Sequence, residues 1–247
     1  MNTIAVFSKK PEHGKTKTRL VPPLTINEAK ELSEAFLKDT LNLIADIDCL
    51  DQRILYFYPP LAFDYFKLIT GGANGPLRRN SLPSSSWIIK TQVGKNFGER
   101  LSNAISDELR ERGRKPGSKY KTEKLLIIGS DSPSIPEECI KKALLALESE
   151  DIVLGPADDG GFYLIGAKKS WPGIFKSVRW SSGDTLRDVI LNLEELSINY
   201  KLLPQWYDID EITDISKLNQ DINKMPDYYC SNTRILLDKL DKKLKLL

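Results

Sequence analysis

Histidine is almost missing from this sequence, and its scarcity limits the chemistry that the protein can perform. The 247 residues include a single histidine, His13. A Ser-His-Asp or Cys-His enzyme would have to use that residue, and a metal site with several histidines is impossible. Because His13 lies in a charged stretch, we interpret it as a surface loop residue rather than a catalyst. Any catalysis therefore rests on carboxylates, lysine and arginine, with an oxygen-bound divalent cation if a metal takes part.

Cysteine is also scarce, and long apolar runs are absent. Cys49, Cys139 and Cys230 are odd in number, far apart and without CxxC spacing. This pattern argues against a disulfide framework or a zinc site and favours a reducing compartment. No apolar run approaches the roughly 18 residues of a membrane span, and the N-terminus lacks the charged and apolar regions of a signal peptide. The sequence therefore predicts a cytoplasmic protein that does not contact a membrane.

Neither sign of charge dominates the chain. The sequence has 36 lysines and arginines against 34 aspartates and glutamates, a formal net charge of +2. That excess is too small for a general nucleic-acid binder, so we expect no nucleic-acid partner. Basic residues are instead concentrated locally, in the stretch SKKPEHGKTKTRL at residues 8–20.

The stretch 8–20 contains the closing triplet of a nucleotide-binding P-loop, Gly14-Lys15-Thr16, but it is not one. The P-loop pattern needs a glycine where the chain has Lys9, and Pro11 has no backbone N–H to offer a phosphate. A solvated, charged surface turn is the alternative reading. The position of the stretch directly after a predicted strand, with its proline and glycine, favours a functional loop.

Strand and helix signals alternate along the chain. Short apolar, β-branched runs predict strands at 3–8, 53–58, 87–92, 125–129 and 200–203, and two strands around a glycine turn in 151–167. Apolar residues at helical spacing predict helices at 25–44, 97–112, 136–149 and 184–196, the first with a capping box between Thr25 and Glu28. A loop rich in Gly, Asn, Pro and Ser is expected at 71–86, and a basic linker at 113–124. This alternation predicts one α/β domain with a mostly parallel sheet and helices on both faces. We place that domain at residues 1–222, followed by a lysine-rich tail, helical at its end, at 223–247.

Acidic residues follow the predicted strands, and the carboxyl ends of parallel strands are where such sheets bind ligands. They are Asp131, the turn Asp158-Asp159-Gly160-Gly161, and the pair Asp208 and Asp210. Cations and carboxylates at one edge suit a polyphosphate held with Mg²⁺ or Mn²⁺. Each feature has a structural alternative. Asp131 could cap the next helix, the Asp-Gly turn could simply join two strands, and the last pair could be a solvated strand end.

Five motifs in order give a more specific signal than any one of them. FSKKPEHGKTKTRL, GERLSNA, IIGSDSPSIP, GPADDGGFYLIG and WYDIDEITDISKL together resemble the radical-SAM/selenodomain-associated transferase family, also called the arsenosugar-biosynthesis glycosyltransferase group. The resemblance spans residues 3 to about 220. More distantly, the chain is similar to molybdopterin-cofactor and phospholactate guanylyltransferases. The resemblance implies a GT-A-type, Rossmann-like nucleotide-diphospho-sugar transferase fold.

The resemblance also implies roles for individual residues. The nucleotide and its phosphates would contact the basic loop and the GERLSNA motif, through Lys9, Pro11, Gly14, Lys15, Lys17, Thr18, Arg19 and Arg100. The metal would be bound by Asp131, Asp208 and Asp210, and the acceptor by Asp158, Asp159, Gly160, Gly161 and Trp180. Trp180 could equally be a core residue. Two positions depart from the family pattern: Gly129-Ser130-Asp131 replaces Asp-x-Asp, and Phe162 stands where tyrosine is expected.

Three functions fit these residues. The first is metal-dependent transfer of a sugar from a nucleoside-diphosphate sugar to a small acceptor, which the family resemblance favours. The second is nucleotidyl transfer from a nucleoside triphosphate to a phosphorylated small molecule, which the dense basic loop favours. The third is nucleotide binding without catalysis. In either reaction Lys17 and Arg19 would stabilise charge on the leaving phosphate, and Asp158 or Asp159 would activate the acceptor.

Overall fold

The structure is a computed structural model that describes residues 1–71, 87–109 and 122–244. The strands are β1 Asn2–Lys9, β2 Gln52–Tyr58, β3 Ile88–Thr91, β4 Lys124–Ile128, β5 Ile152–Pro156, β6 Phe162–Ala167 and β7 Tyr200–Leu202. The α-helices are α1 Ile26–Ala45, α2 Phe63–Ile69, α3 Phe97–Leu109, α4 Glu137–Ala146, α5 Thr185–Glu195, α6 Ile212–Ile222 and α7 Ser231–Leu244. Except for Gly71 and residues 122–124, the loop predicted at 71–86 and the linker predicted at 113–124 lie outside the described residues.

The seven strands form one sheet in the order β3-β2-β1-β4-β6-β5-β7. Neighbouring strands are parallel except that β6 is antiparallel to both β4 and β5. The central strand β1 pairs with β2 and β4, so that Val6 lies between Leu55 and Ile128. The prediction of a mostly parallel sheet is therefore confirmed, and the predicted pair of strands around the glycine turn is the β5–β6 hairpin.

The period-2 alternation of strand β1 divides the core between the two faces of the sheet. Ile4 and Val6 face a cluster that includes residues of α1 and α4. Ala5 and Phe7 face a second cluster with residues of α3 and α5. All four side chains are nearly fully buried, as expected for a strand covered on both sides. The prediction of helices on both faces is confirmed.

Helix α7 packs against α1 at the side of the domain. Asp39 of α1 is 4% exposed and accepts hydrogen bonds from the backbone N–H groups of Asn232 and Thr233 at 3.0 and 2.8 Å. These N–H groups belong to the first turn of α7 and have no partner within the helix, so the carboxylate caps it. Leu237 of α7 and Phe36 of α1 join a third apolar cluster. The domain boundary at residue 222 stays a prediction.

Within the described ranges, no helix is both long and apolar enough to cross a bilayer.

Candidate active site

Three chain segments lie side by side beyond the carboxyl ends of the parallel strands. The backbone N–H of Ile209 donates to the carbonyl of Asp131 at 3.1 Å. The N–H of Asp158 donates to the carbonyl of Trp206 at 3.1 Å. The segment after β7 therefore extends the sheet edge and brings the late acidic motif beside the ends of β4 and β5. Acidic residues from three distant parts of the sequence meet at this edge, as predicted from the strand order.

The basic loop after β1 has a defined shape. The Glu12 N–H donates to the hydroxyl of Thr16 at 2.8 Å, and the Lys15 N–H donates to the carbonyl of Glu12 at 3.2 Å. Gly14 has φ +72°, a backbone conformation that glycine adopts without a steric penalty. Beyond this turn the chain enters a 3₁₀ turn at Thr18–Leu20, and the fully buried Leu20 anchors it in the core.

Lys17 stands immediately before that 3₁₀ turn and is the central cation of the site. Its Nζ lies 3.1 Å from Oδ1 of Asp131 and 2.9 Å from Oδ1 of Asp210. The Lys17 side chain is 6% exposed, whereas the two carboxylates are about half exposed. Lys17 also has a left-handed backbone, φ 48° and ψ 44°. A non-glycine residue in this region typically costs about 1–3 kcal/mol and often marks a functional position.

Two opposing effects act on the Lys17 ammonium. Burial alone would lower the pKa of Lys17, because it removes the charged form from water. The attraction of Asp131 and Asp210, together with their hydrogen bonds, outweighs burial and raises the pKa of Lys17 above its ordinary value. Lys17 is therefore a permanent cation at neutral pH.

The third predicted metal ligand, Asp208, has a different environment. The hydroxyl of Ser132 donates a short hydrogen bond to Oδ1 of Asp208. Burial raises the pKa of Asp208 to about 6, because the hydrogen bond from Ser132 and the charge of Lys17 only partly offset desolvation and the negative charge of Asp131. Asp208 therefore titrates close to neutral pH.

The three predicted metal ligands have the right chemistry but do not form one cluster. Hard divalent cations such as Mg²⁺ prefer carboxylate oxygens, which all three residues offer. Within residues 1–71, 87–109 and 122–244, no three acidic, histidine or cysteine side chains converge as a metal site. Instead Asp131 and Asp210 share the ammonium of Lys17. The three carboxylates are suitable ligands for a divalent cation, but the Lys17 ammonium lies between two of them, Asp131 and Asp210. The structure also rules out the alternative reading of Asp131 as a helix cap, because Pro136 precedes α4 and no side chain caps it.

Other predicted phosphate contacts flank Lys17. Lys9, at the end of β1, and Arg19 are exposed, and neither has an ion pair within the part of the chain that the structure describes. Lys15 is exposed but pairs with Glu12 at 2.9 Å. Pro11 is buried, and Thr18 is exposed beside Arg19. The segment thus presents cations that have no ion pair in the described residues, and it also contains Lys17 of the Lys17 cluster, defined here as Lys17, Asp131 and Asp210.

Arg100, from the first turns of α3, is a further cation without an acidic partner in the described residues. Its guanidinium lies 5.2 Å from the ring centroid of Tyr58 and 5.9 Å from that of Phe97. Its Nε is buried and has no hydrogen-bond partner in the described residues. A buried donor without a hydrogen-bond partner costs free energy. An anionic ligand bound at this place would supply the missing acceptor. Its role in phosphate binding stays a prediction.

The predicted acceptor side lies at the β5–β6 turn. Asp158 forms an ion pair with Lys217 of α6 at 2.9 Å, and both side chains are about half exposed. Oδ1 of Asp159 accepts the backbone N–H of Gly161 at 2.8 Å. Gly160 has φ +84°, and a Cβ there would lie 2.2 Å from the carbonyl oxygen of Gly183. The sequence alternative of a tight turn is therefore correct, and the turn presents two carboxylates, of which Asp159 is close enough to contribute to the raised pKa of Asp208.

Trp180 is part of an aromatic cluster. Its ring centroid lies 4.9, 6.3 and 5.6 Å from those of Phe97, Phe162 and Phe175. It also packs on α3 at Gly98, where a Cβ would lie 2.9 Å from its Nε1. The alternative reading of Trp180 as a core residue fits this packing, and acceptor binding by Trp180 stays a prediction. Phe162, where the family pattern has tyrosine, packs in the same cluster.

Sequence reasoning assigned no role to two polar residues of the site. Lys217 not only pairs with Asp158 but also lies 3.9 Å from the ring centroid of Tyr207. Ser132 holds Asp208. Lys217 lies in the motif WYDIDEITDISKL and Ser132 in the motif IIGSDSPSIP. Their positions in these motifs are the sequence feature that could have indicated a role in the site.

Comparisons with known proteins agree with this architecture. Residues 67–182 match a family described as an uncharacterized protein conserved in bacteria (DUF2064). No curated protein matches the chain. The chain is similar to a protein from Desulfovibrio desulfuricans G20 that is provisionally described as a nucleotide-diphospho-sugar transferase. The TM-score is 0.82 with 27% identity, and the match covers 99% of this chain and 96% of that one.

Two further solved structures share the fold at lower identity. A cytidylyltransferase from Leptospira borgpetersenii serovar Hardjo-bovis matches with a TM-score of 0.56 and 11% identity, over 99% of this chain and 95% of that one. The 4-diphosphocytidyl-2C-methyl-D-erythritol synthase from Anaerococcus prevotii DSM 20548 matches with a TM-score of 0.54 and 13% identity, over 90% and 96%. The predicted GT-A-like α/β fold is therefore confirmed, and the comparisons support the prediction of a nucleotide-dependent transferase.

Proposed function

We propose that this protein is a divalent-cation-dependent glycosyltransferase that moves a sugar from a nucleoside-diphosphate sugar to a small acceptor. The observation that carries the proposal is the meeting of the basic loop with Asp131 and Asp210 at the carboxyl edge of the sheet. The similarity to the Desulfovibrio protein over nearly the whole chain supports it. The five ordered motifs support a place in the arsenosugar-biosynthesis group, and the cysteine pattern supports a cytoplasmic location.

The donor's diphosphate would lie against the basic loop. Lys9 and Arg19 are exposed and unpaired within the described residues, so they can bind phosphate oxygens without breaking an existing ion pair. Arg100, next to Tyr58 at the end of β2, offers an Nε that has no hydrogen-bond partner in the described residues. Preorganised donors of this kind are worth roughly 3–4 kcal/mol each when they contact developing charge. The loop cations would therefore stabilise the departing nucleoside diphosphate.

Asp131 and Asp210, with Asp208 beside them, would hold Mg²⁺ or Mn²⁺. When bound, such a cation neutralises the diphosphate oxygens on which charge develops. Asp208 accepts a hydrogen bond from Ser132 through one oxygen, which fixes the orientation of its carboxylate.

The acceptor would bind at the β5–β6 turn, where a carboxylate can take its proton. Asp158 is paired with Lys217, and Asp159 is oriented by the N–H of Gly161. Either carboxylate retains lone pairs for an acceptor hydroxyl. Separate Asp158→Asn and Asp159→Asn variants distinguish the two roles, because only loss of the base should abolish turnover at saturating substrate.

One observation favours a second function, nucleotidyl transfer to a phosphorylated small molecule. The loop presents Lys9 and Arg19 in addition to Lys17. Three cations suit a triphosphate better than a diphosphate, because more anionic oxygens must be neutralised. The same residues would then stabilise departing pyrophosphate.

A thermal-shift panel separates these functions. Nucleoside triphosphates and sugar nucleotides are each tested with and without Mn²⁺. A ligand at ~100 times its Kd stabilises by about 2.7 kcal/mol, and each kcal/mol moves Tm by roughly 2–4 °C at this chain length. A Mn²⁺-dependent shift with a sugar nucleotide supports glycosyl transfer, and a shift with triphosphates alone supports nucleotidyl transfer.

The Asp131→Ala variant then tests catalysis with the substrate that the panel identifies. Loss of a cation ligand at the diphosphate should lower kcat by roughly 10²–10³-fold, the effect of removing one electrostatic contact to the transition state. Full turnover in this variant would refute the role of Asp131. Nucleotide binding without any turnover in the wild-type protein would favour the non-catalytic binding function.

A further inference from the structure

We propose that Lys17 is an internal cation that a divalent metal must displace from between Asp131 and Asp210, so that the metal binds together with a phosphate ligand and only weakly alone. The proposal rests on the proposed function in that it takes the two aspartates as metal ligands. It adds an order of binding and a second position for the lysine.

The first step of the argument is the geometry of the Lys17 cluster. The ammonium contacts one oxygen of each carboxylate, at 3.1 and 2.9 Å. Mg²⁺ bound by the same carboxylates requires oxygens at about 2.0–2.1 Å. A dication held there would lie against the ammonium, and two like charges repel strongly where little water screens them. Lys17 and the metal therefore exclude each other from the space between the carboxylates.

The second step concerns what Lys17 contacts after it leaves. Within the described residues its ammonium has no hydrogen-bond acceptor other than the two aspartates. A buried ammonium without an anion is costly, so metal binding alone would leave Lys17 unsatisfied. Lys9, at the end of β1, and Arg19, two residues after Lys17, are exposed cations near it in the sequence and favour an anionic ligand in this segment. A diphosphate bound by the loop would supply the new partner, because its oxygens are strong acceptors for an ammonium.

The third step is the local backbone. Lys17 is held at φ 48° between the turn at Gly14 and the 3₁₀ turn that ends at the buried Leu20. The loop thus fixes the Cα of Lys17, while the flexible four-carbon side chain can redirect its ammonium. The exchange therefore needs only side-chain rotation, and in the ligand-free protein the single ammonium offsets part of the negative charge of the two carboxylates.

The test measures Mn²⁺ binding directly by electron paramagnetic resonance of free Mn²⁺, without donor or acceptor. In the wild-type protein, inorganic pyrophosphate should tighten Mn²⁺ binding to the protein, after correction with a protein-free titration of Mn²⁺ and pyrophosphate. In the Lys17→Met variant, Mn²⁺ alone should bind about tenfold tighter or more than to the wild type, since the net ligand charge sets the affinity of carboxylate sites. The matched control is Lys141→Met, which removes an exposed lysine of α4 that pairs with Glu137 at 2.6 Å and has no assigned part in the site. This control should bind Mn²⁺ as the wild type does.

Several results would overturn the exchange. One is a folded Lys17→Met protein that binds Mn²⁺ no tighter than the wild type. Another is a wild-type protein whose Mn²⁺ affinity is the same with and without pyrophosphate. This measurement tests the exchange even if the Lys17→Met variant does not fold. Neither arm of this experiment uses a sugar nucleotide, so the exchange is tested separately from the transferase activity. If Lys17→Met bound Mn²⁺ tightly but the wild-type protein showed no turnover, the exchange would be supported and only the transferase proposal would be refuted.

Discussion

Two regions of the molecule use the same arrangement, one cation shared by two carboxylates, in opposite surroundings. In the Lys17 cluster the cation is 6% exposed. In the Arg179 cluster, defined as Arg179, Asp184 and Asp188, the guanidinium is 57% exposed. Arg179 lies 2.6 Å from Asp184 and 2.7 Å from Asp188, so its contacts are no longer than those of Lys17. Burial, and not contact distance, separates the two regions.

The difference shows what each cluster does for the protein. Arg179 and Asp188 tie the segment before α5 to that helix, since Asp188 also accepts the backbone N–H of Arg179 at 2.9 Å. Because the guanidinium is exposed, water can replace these contacts at little cost in free energy. Their role is therefore limited to holding the local conformation of this segment. The Lys17 ammonium has little access to water, so only an anion can replace its partners. A buried cation at a ligand-binding edge is therefore suited to exchanging its carboxylate partners for an anionic ligand. An exposed cation is suited to stabilising local structure.

The largest expected effect comes from removing both partners of the buried cation. The Asp131→Asn/Asp210→Asn double variant leaves Lys17 buried without the two carboxylates that its ammonium contacts. We expect the free energy of unfolding to fall by about 3 kcal/mol, the lower end for a broken buried ion pair, because both carboxylates are half exposed. Urea unfolding near neutral pH measures it, since Lys17 is charged there in the wild-type protein, where the two carboxylates raise its pKa.

The matched control for this loss is the Asp184→Asn/Asp188→Asn double variant. It removes the same number of carboxylates from a cation that remains in water. Its unfolding midpoint should change less than that of the first variant. An equal or larger change would show that burial does not distinguish the two clusters.

An intermediate effect is expected from Asp208, whose pKa shift is opposite in sign to that of Asp188. Burial raises the pKa of Asp208 to about 6, above the value of about 3.9 in an unfolded chain. The folded state therefore binds this proton more tightly, and stability falls as the pH rises from about 4 to 6. The Asp208→Asn variant should lose this slope and gain on the order of 2 kcal/mol relative to the wild type above pH ~6, in urea unfolding with a metal chelator. Parallel pH profiles for the two proteins would contradict the shift.

Sequence patterns determined the architecture more fully than the site. The apolar, β-branched runs that became β1, β2 and β4 predicted a buried parallel sheet, because strands covered on both faces must be apolar throughout. The strand ends then placed the basic loop and Asp131 at one edge. Strand order says where a residue's backbone lies, but not which way its side chain points.

The contact between Lys17 and Asp210 shows what a single sequence could not supply. The two residues are 193 positions apart, and the sequence predicted phosphate binding for one and metal binding for the other. Lys17 contacts Asp210 from a left-handed backbone conformation, which no local pattern around a lysine predicts. Lys217 was missed for a related reason, since its role arises only where α6 faces the β5–β6 turn.

The smallest expected effect lies in the exposed cluster and runs in the opposite pH direction. Hydrogen bonds from the side chain and backbone of Arg179 lower the pKa of Asp188 to about 2. Stability from Asp188 is therefore complete above its unfolded pKa of about 3.9 and is lost as the pH falls toward 2. Asp188→Asn should be slightly less stable than the wild type at pH ~6, and the difference should shrink as the pH falls below about 4. Urea unfolding of both proteins across this range measures the gap, with Lys15→Met as a variant that leaves Asp188 untouched. If the difference in stability instead grew as the pH fell, Arg179 would not stabilise the ionised carboxylate of Asp188. The contrast between the pH dependence of Asp188 and that of Asp208 would then be wrong.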